Sequence, residues 1–273
     1  MNIIIPLAEG YGKSDEKTNQ HAVMNFKTIK KYCISMERSR ERRELMMHKK
    51  SIIGDFTFFD AVDGKKLIIP ELSVKIKDPF RHGILGCALS HLGVMQMALA
   101  NKEDIIFVME DDIVLCDDFW ERINYIEGLK LSFDMFLLGG FFDKDATTQT
   151  KYNHIFSVQQ MNGTYGYIIT KKAMEFYARN ITYNWGSDQL FSDHIYKRFK
   201  CYAFLPMLIG VRDCFSEIVQ SPVNYDKKTY YRQEIIKNIN DPYMSYIDKN
   251  KIDRKKEMTK NDEAREKWLK ENP

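Results

Sequence analysis

The sequence predicts an α/β domain with a mostly parallel central sheet, and three observations carry that prediction. Ile105-Ile106-Phe107-Val108-Met109 is an unbroken apolar run of strand length, the pattern of a central strand covered on both faces. Between Leu85 and Ala100 the apolar period changes to three and four residues, the step of a helix. Strand-like and helix-like stretches then alternate along the chain, which is how parallel sheets are built.

The elements follow in order. Residues 1 to 28 read as one strand, a Gly/Ser turn and a polar stretch, an N-terminal extension ahead of a main domain over 29–230. Tyr32-Cys33-Ile34 is a short strand feeding a charged, exposed helix between Met36 and Lys50. Phe56 to Val62 is a second strand that stops at the turn dipeptide Asp63-Gly64. The helix over 85–100 places Leu85, Leu89, Leu92, Gln96 and Leu99 on one face, with Gly86, Ser90 and Gly93 as a stripe of small residues beside it. Tight packing against a neighbouring element is the simpler use of that stripe, and close approach of a ligand is the other. Met135 to Leu138 ends in Gly139-Gly140, Tyr167 to Thr170 precedes a helix at Lys171, and Ser187 to Phe199 reads as a further helix. Beyond residue 230 apolar periodicity fades into a charged C-terminal segment, 231–273.

Bulk composition bounds the function. A chain of 273 residues with 44% hydrophobic residues can bury a core of its own. A net charge of +3 supplies no overall basic field, so nucleic acid is not the expected partner. Six Lys/Arg against two acids between Lys249 and Lys260 can attract an anionic membrane surface, although a solvated helix face has the same composition. Five cysteines, Cys33, Cys87, Cys116, Cys201 and Cys214, form an odd set without a Cys-x-x-Cys pair, which fits reduced thiols. The apolar run Ile3 to Ala8 is too short for a signal-peptide core or a membrane span. The expectation is a cytoplasmic protein, with peripheral membrane contact through its basic end.

Chemistry concentrates at Glu110-Asp111-Asp112, directly after the buried strand. Ligands bind past the carboxyl ends of strands in open α/β sheets, so these acids stand where a site belongs. Adjacent carboxylates repel unless a cation lies between them, and Mn²⁺ or Mg²⁺ prefers such oxygen ligands, often shared with a diphosphate. On extended chain Glu110 and Asp112 would point the same way, making them the candidate metal ligands. The bland alternative is an acidic cap on the next element.

Read together, Cys33-Ile34-Ser35-Met36-Glu37-Arg38 with Arg40 and Arg42, Ala61-Val62-Asp63-Gly64, Gly86-Cys87-Ala88-Leu89-Ser90-His91 and Met109-Glu110-Asp111-Asp112 resemble the family 25 glycosyltransferases. That family includes bacterial lipooligosaccharide galactosyltransferases and collagen galactosyltransferases. The resemblance covers roughly Tyr32 to Ser216, and its Gly-Cys-x-x-Ser-His block about twenty residues ahead of Glu-Asp-Asp is fairly specific. It implies a GT-A type, Rossmann-like fold, a UDP-sugar donor, a glycan, lipooligosaccharide or hydroxylysine-type acceptor, and Mn²⁺ (or Mg²⁺) held by Glu110 and Asp112. Arg38, Asp63, Ser90, His91 and Asp111 would then line the donor site. His91 lies off the apolar stripe and is expected to be free to face that site. Gly163-Thr164-Tyr165-Gly166-Tyr167 resembles a family strand that carries histidine where this chain has Tyr165, and Trp185-Gly186-Ser187-Asp188 resembles a Pro-x-Asp block without its proline. The resemblance further implies inversion in one displacement, with Asp188 as the base that takes the acceptor proton. Ser187-Asp188 equally has the look of a helix cap, and both roles stay open. Asp143 is the reserve candidate.

Two other functions compete with transfer. Gly10-x-Gly12 after the first strand suggests a sugar nucleotidyltransferase, but lacks the Arg and Pro-Lys of such loops. A catalytically silent glycan-binding module would have no need of clustered acids.

Overall fold

A computed structural model describes residues 24–67, 79–141, 147–180, 187–211, 214–216 and 221–223. The predicted first strand, Asp143, Trp185-Gly186 and the charged segment over 231–273 lie outside the described residues.

The strands are β1 (Lys30–Ser35), β2 (Thr57–Asp60), β3 (Ile105–Glu110), β4 (Ile113–Leu115), β5 (Met135–Phe141), β6 (Thr147–Gln149), β7 (Ile155–Val158), β8 (Asn162–Thr170), β9 (Cys201–Phe204), β10 (Ile209–Val211), β11 (Cys214–Ser216) and β12 (Ser221–Val223). The helices are α1 (Arg40–Ile53), α2 (Pro79–Ala100), α3 (Phe119–Gly128), α4 (Lys171–Asn180) and the single turn α5 (Ser187–Leu190), which runs on as a π-helical turn over Phe191–Ile195. Eight strands form the main sheet in the order β2-β1-β3-β8-β5-β9-β7-β6.

The α/β class is as expected, but the sheet is mixed, not mostly parallel. Of its seven adjacent pairs among the described residues, β1·β2, β1·β3 and β5·β9 are parallel and the other four antiparallel. The reversal comes from β8, which runs antiparallel to both β3 and β5 at the sheet centre. A strand buried on both faces is apolar in either direction, so hydropathy records its burial and not its sense.

Two cores cover the two faces. On one side α2, α4 and the Ser187–Ile195 segment bury Leu85, Leu89, Met95, Tyr177 and Phe191 against Ile106, Val108 and Tyr167 of the sheet. On the other α1 and α3 bury Met46, Ile53, Phe119 and Ile123 against Cys33, Phe107 and Met109. Each fully buried aliphatic or aromatic side chain there contributes about 1.5–3 kcal/mol. Phe26 belongs to this second core, with ring centroids 5.1 Å from Phe107 and 5.5 Å from Phe119. Helix α1 is therefore half-buried, through Leu45, Met46, Lys49 and Ile53, where charge density suggested a fully exposed one.

Helix α2 is long and apolar enough over His82–Ala100 to cross a bilayer, yet it is a core helix here. Its buried face is Leu85, Ala88, Leu89, Leu92, Met95 and Ala98, with Val94 and His91 also covered, while Gln96 and Leu99 are only partly covered. The small-residue stripe serves packing. A Cβ on Gly86 would lie 2.6 Å from the Val62 carbonyl oxygen and 2.9 Å from the Gly64 amide, and one on Gly93 would lie 2.5 Å from the Phe59 ring. Bare glycine is what lets the β2 exit loop lie directly on the helix backbone.

Candidate active site

The carboxyl ends of β1, β2 and β3, all parallel, converge on one cleft, where an open α/β sheet places a ligand. Its walls include Ser35 at the end of β1 with Arg38 and Arg42 after it, Val62 to Lys65 after β2, Glu110 at the end of β3 with Asp111 and Asp112 after it, and Cys87, Ser90 and His91 from α2. Seven of the residues singled out in the sequence meet there: Arg38, Asp63, Ser90, His91, Glu110, Asp111 and Asp112. Asp188 is not among the lining residues.

The three acids do not sit on extended chain. Glu110 ends β3, Asp111 and Asp112 form the turn into β4, and β4 pairs with β10, so the side chains diverge. Asp111 is buried and accepts a 2.6 Å hydrogen bond from Ser35 Oγ. Arg42, in the first turn of α1, brings Nη1 within 3.2 Å of Asp111 Oδ1 and 3.7 Å of Asp112 Oδ2. A buried carboxylate is tolerable only with such partners. Glu110 turns the other way, with Oε1 3.5 Å from both His91 Nε2 and Thr164 Oγ1.

At the mouth, Arg38 Nη1 donates to Asp63 Oδ2 at 2.7 Å, joining the β1 and β2 exit loops. Asp63 Oδ1 also accepts from the Lys65 amide at 3.1 Å, capping the short turn Gly64–Lys66. Burial disfavours the Asp63 charge, but the bonds from Arg38 and Lys65 outweigh it and hold the carboxyl below its usual range. Ser90 has both hydroxyl functions committed: it donates to the Gly86 carbonyl at 2.6 Å and accepts from the Val62 amide at 2.8 Å. It shapes the cleft wall by tying α2 to the β2 exit.

His91, expected from its place off the apolar stripe to be free to face the site, is instead held in place. It is fully buried, with Nδ1 2.8 Å from Tyr167 Oη and Nε2 3.1 Å from Thr164 Oγ1. Thr164 also meets Ser187 Oγ at 2.9 Å, and Ser187 meets Cys87 Sγ at 3.4 Å. Tyr165 packs on the opposite face of β8, in the second core. Strand alternation breaks between Thr164 and Tyr167, both on the α2 side, where the β5·β8 register shifts. The departure from histidine at 165 is thus in the core and leaves the cleft wall untouched.

Asp188 Oδ1 accepts from the Gln189 amide at 2.8 Å, and Oδ2 lies 3.4 Å from the Gly163 amide. The first bond is to the next residue and the second reaches β8, and neither goes to the second or third helical amide that a cap serves, so both roles stay open. The expected helix over 187–199 is one α-turn followed by a π-turn, in which Ser192 Oγ donates to the Met161 carbonyl at 3.1 Å.

Two donor sets can be weighed for a metal. The carboxylates of Asp111 and Asp112, and that of Glu110 turned toward His91, are hard oxygen donors lining the same cleft, and the guanidinium between the two aspartates shows that this pair attracts a cation. Mn²⁺ or Mg²⁺ fits that chemistry. Cys87, His91 and Glu110 bring one ligand atom each within 4.8 Å of one another, a softer set suited to zinc. Burial and then the Glu110 charge push the Cys87 thiol up, and both imidazole nitrogens already have partners, which disfavours that set.

The sequence pointed to the acids and arginines but not to Ser35, Thr164, Ser187 and Cys87 as their supports. Thr164 was findable, since its neighbour Tyr165 is large and apolar and adjacent strand residues face opposite ways.

The acids and arginines thus gather beyond the parallel strand ends, where α/β sheets hold their ligands. Residues 28–195 match the model of glycosyltransferase family 25 (LPS biosynthesis protein), and the chain belongs to that family. It is 28% identical over 171 residues to a protein of Acanthamoeba polyphaga mimivirus assigned to the glycosyltransferases, covering 56% of this chain and 53% of that one. A glycosyltransferase 25 family member of Aedes aegypti is 35% identical over 108 residues, 35% of this chain and 18% of its own length. A Haemophilus influenzae protein assigned to the glycosyltransferases is 28% identical over 214 residues, 71% of this chain and 72% of its own. The chain spans about half of the mimivirus relative and under a fifth of the mosquito one.

Proposed function

We propose that this protein transfers a sugar, galactose or glucose, from a UDP-sugar to a hydroxyl of a glycan acceptor, on a GT-A type fold and with inversion. The observation that carries the reading is the convergence of Glu110, Asp111 and Asp112 with Arg38 and Arg42 in one cleft at the carboxyl ends of β1 to β3. A donor diphosphate is a dianion that gains charge on the leaving oxygen, so it needs positive charge fixed in place. Arg38 and Arg42 supply part of this, and Glu110 and Asp112 are the residues to hold Mn²⁺ or Mg²⁺. A bound metal would neutralise the leaving diphosphate. Asp63 keeps Arg38 at the mouth, and Ser35 and Arg42 hold Asp111 so that the turn presents its neighbours to the cleft.

Inversion in a single displacement requires one carboxylate to accept the acceptor proton. Asp188 is proposed for it, being one residue from Ser187, which adjoins the wall through Thr164 and Cys87. Isothermal titration with UDP, with and without Mn²⁺, tests the reading. Binding that appears with the metal and is lost in Asp112→Asn is expected, and binding indifferent to both would overturn it.

A further inference from the structure

We propose that His91 does not bind the donor but is a positioning residue, which holds the Glu110 carboxylate and Thr164 through a proton kept on its Nε2 by Tyr167. The side chain stands at the cleft wall but is fully buried. Its two nitrogens are taken up on opposite sides, Nδ1 by Tyr167 Oη at 2.8 Å and Nε2 by Thr164 Oγ1 at 3.1 Å, with Glu110 Oε1 at 3.5 Å.

The direction of these bonds follows from Tyr167. Burial pushes its phenol well above its ordinary value, so the hydroxyl keeps its proton and, being buried, has to donate it. Nδ1 is the acceptor within reach. An imidazole that accepts at Nδ1 carries its own proton on Nε2, and that N–H is shared between Thr164 and Glu110. The carboxylate of a residue ending a strand is otherwise free to rotate about three side-chain bonds. A donor anchored in α2 and oriented by β8 fixes it relative to the rest of the cleft. Through Thr164 the same network reaches Ser187, so the β3 acids and the start of α5 are held in one frame. With its proton on Nε2 the ring offers no lone pair there, so a metal held by Cys87, His91 and Glu110 would first have to displace that proton and break the Tyr167 bond.

The role of Glu110 rests on the transferase reading, but the proton assignment does not, and the test separates them. In ¹⁵N-histidine NMR of the whole protein, with the signal assigned by its loss in His91→Gln, His91 is expected to show a protonated Nε2 and a bare Nδ1. Tyr167→Phe should blur that preference. A bare Nε2 overturns the proposal and leaves the transferase reading standing. Co²⁺ provides a second arm: a thiolate-to-cobalt charge-transfer band that Cys87→Ser abolishes would also overturn it. Glutamine places an amide N–H near the Nε2 position, whereas asparagine reaches only the Nδ1 position. His91→Gln should therefore keep transfer within about tenfold of the natural protein, and His91→Asn should lose ~100-fold, the usual cost of misplacing a group by about 1 Å. Equal losses in both, with equal melting temperatures, would sink the positioning role. An inactive natural protein would instead count against the transferase reading.

Discussion

Asp112 and Asp188 carry the two sharpest expectations, and they fail in different ways. Asp112→Asn removes one of two carboxylates that share the single charge of Arg42 and leaves Asp111 paired with it, so the fold should persist while transfer is lost. Circular dichroism beside a UDP-sugar turnover assay checks both, and full turnover of the natural protein in excess chelator would contradict a metal requirement. Asp188→Asn keeps an oxygen that can accept from the Gln189 amide. If Asp188 only caps α5, the variant should melt slightly lower and turn over within a few-fold of the natural protein. If it is the base, melting stays put and the rate falls roughly a hundredfold or more. A retained rate would move attention to Asp143.

Among the elements, the contact between α2 and the β2 exit loop decides the shape of the cleft. Gly86 and Gly64 approach so closely that a Cβ on Gly86 meets backbone, which cannot give way as a flexible side chain can. Gly86→Ala should therefore cost about 1–3 kcal/mol and weaken UDP binding with it, because the loop carrying Val62 and Asp63 must shift. Chemical denaturation and nucleotide titration on one sample would check the coupling, and an unchanged midpoint would refute it. Ser90→Ala removes both the donor to Gly86 and the acceptor for the Val62 amide, leaving that amide to find water. It should move stability in the same direction as Gly86→Ala.

For the molecule as a whole, two measurements report on the assembled fold. Burial pushes the thiols of Cys33 and Cys201 up, and that of Cys116 up to about 12, so native protein should react slowly with a thiol reagent. Cys33, Cys87, Cys116 and Cys201 are free thiols, and all five cysteines should titrate after unfolding without reductant. Fewer than five would signal a disulfide. Acid should open the mouth of the cleft. The Asp63 carboxyl is held below its ordinary 3.8 by Arg38, so the stability it contributes is complete above that pH and is lost as pH falls through the lowered value. Arg38→Met should flatten the part of the acid unfolding curve below about pH 4. An identical acid limb in the variant would argue against it.

The sequence by itself determined the α/β class, the places of β1, β2, β3, β5, the end of β8, α1, α2 and α4, and the acid cluster past β3, while α3, β4, β6, β7 and β9 to β12 left no readable signal. These are properties of local pattern: a run of apolar residues must be buried, a helical period must show one face inward, and acids after a buried strand must emerge at its end. The family signature lay in the same contiguous blocks, which is why a resemblance over roughly Tyr32 to Ser216 was legible in the chain, and the family model matches residues 28–195. Only the tertiary structure decided the direction of β8, since burial on two faces carries no record of sense. It also decided which way each acid points, because the turn at Asp111-Asp112 exists only when β4 pairs with β10, nearly a hundred residues away. His91 shows the same limit most clearly. Its place off an apolar stripe is written in the chain, but its partners Tyr167 and Thr164 lie on β8, more than seventy residues on, and whether a polar helix residue meets solvent or a buried phenol is settled by what packs across from it.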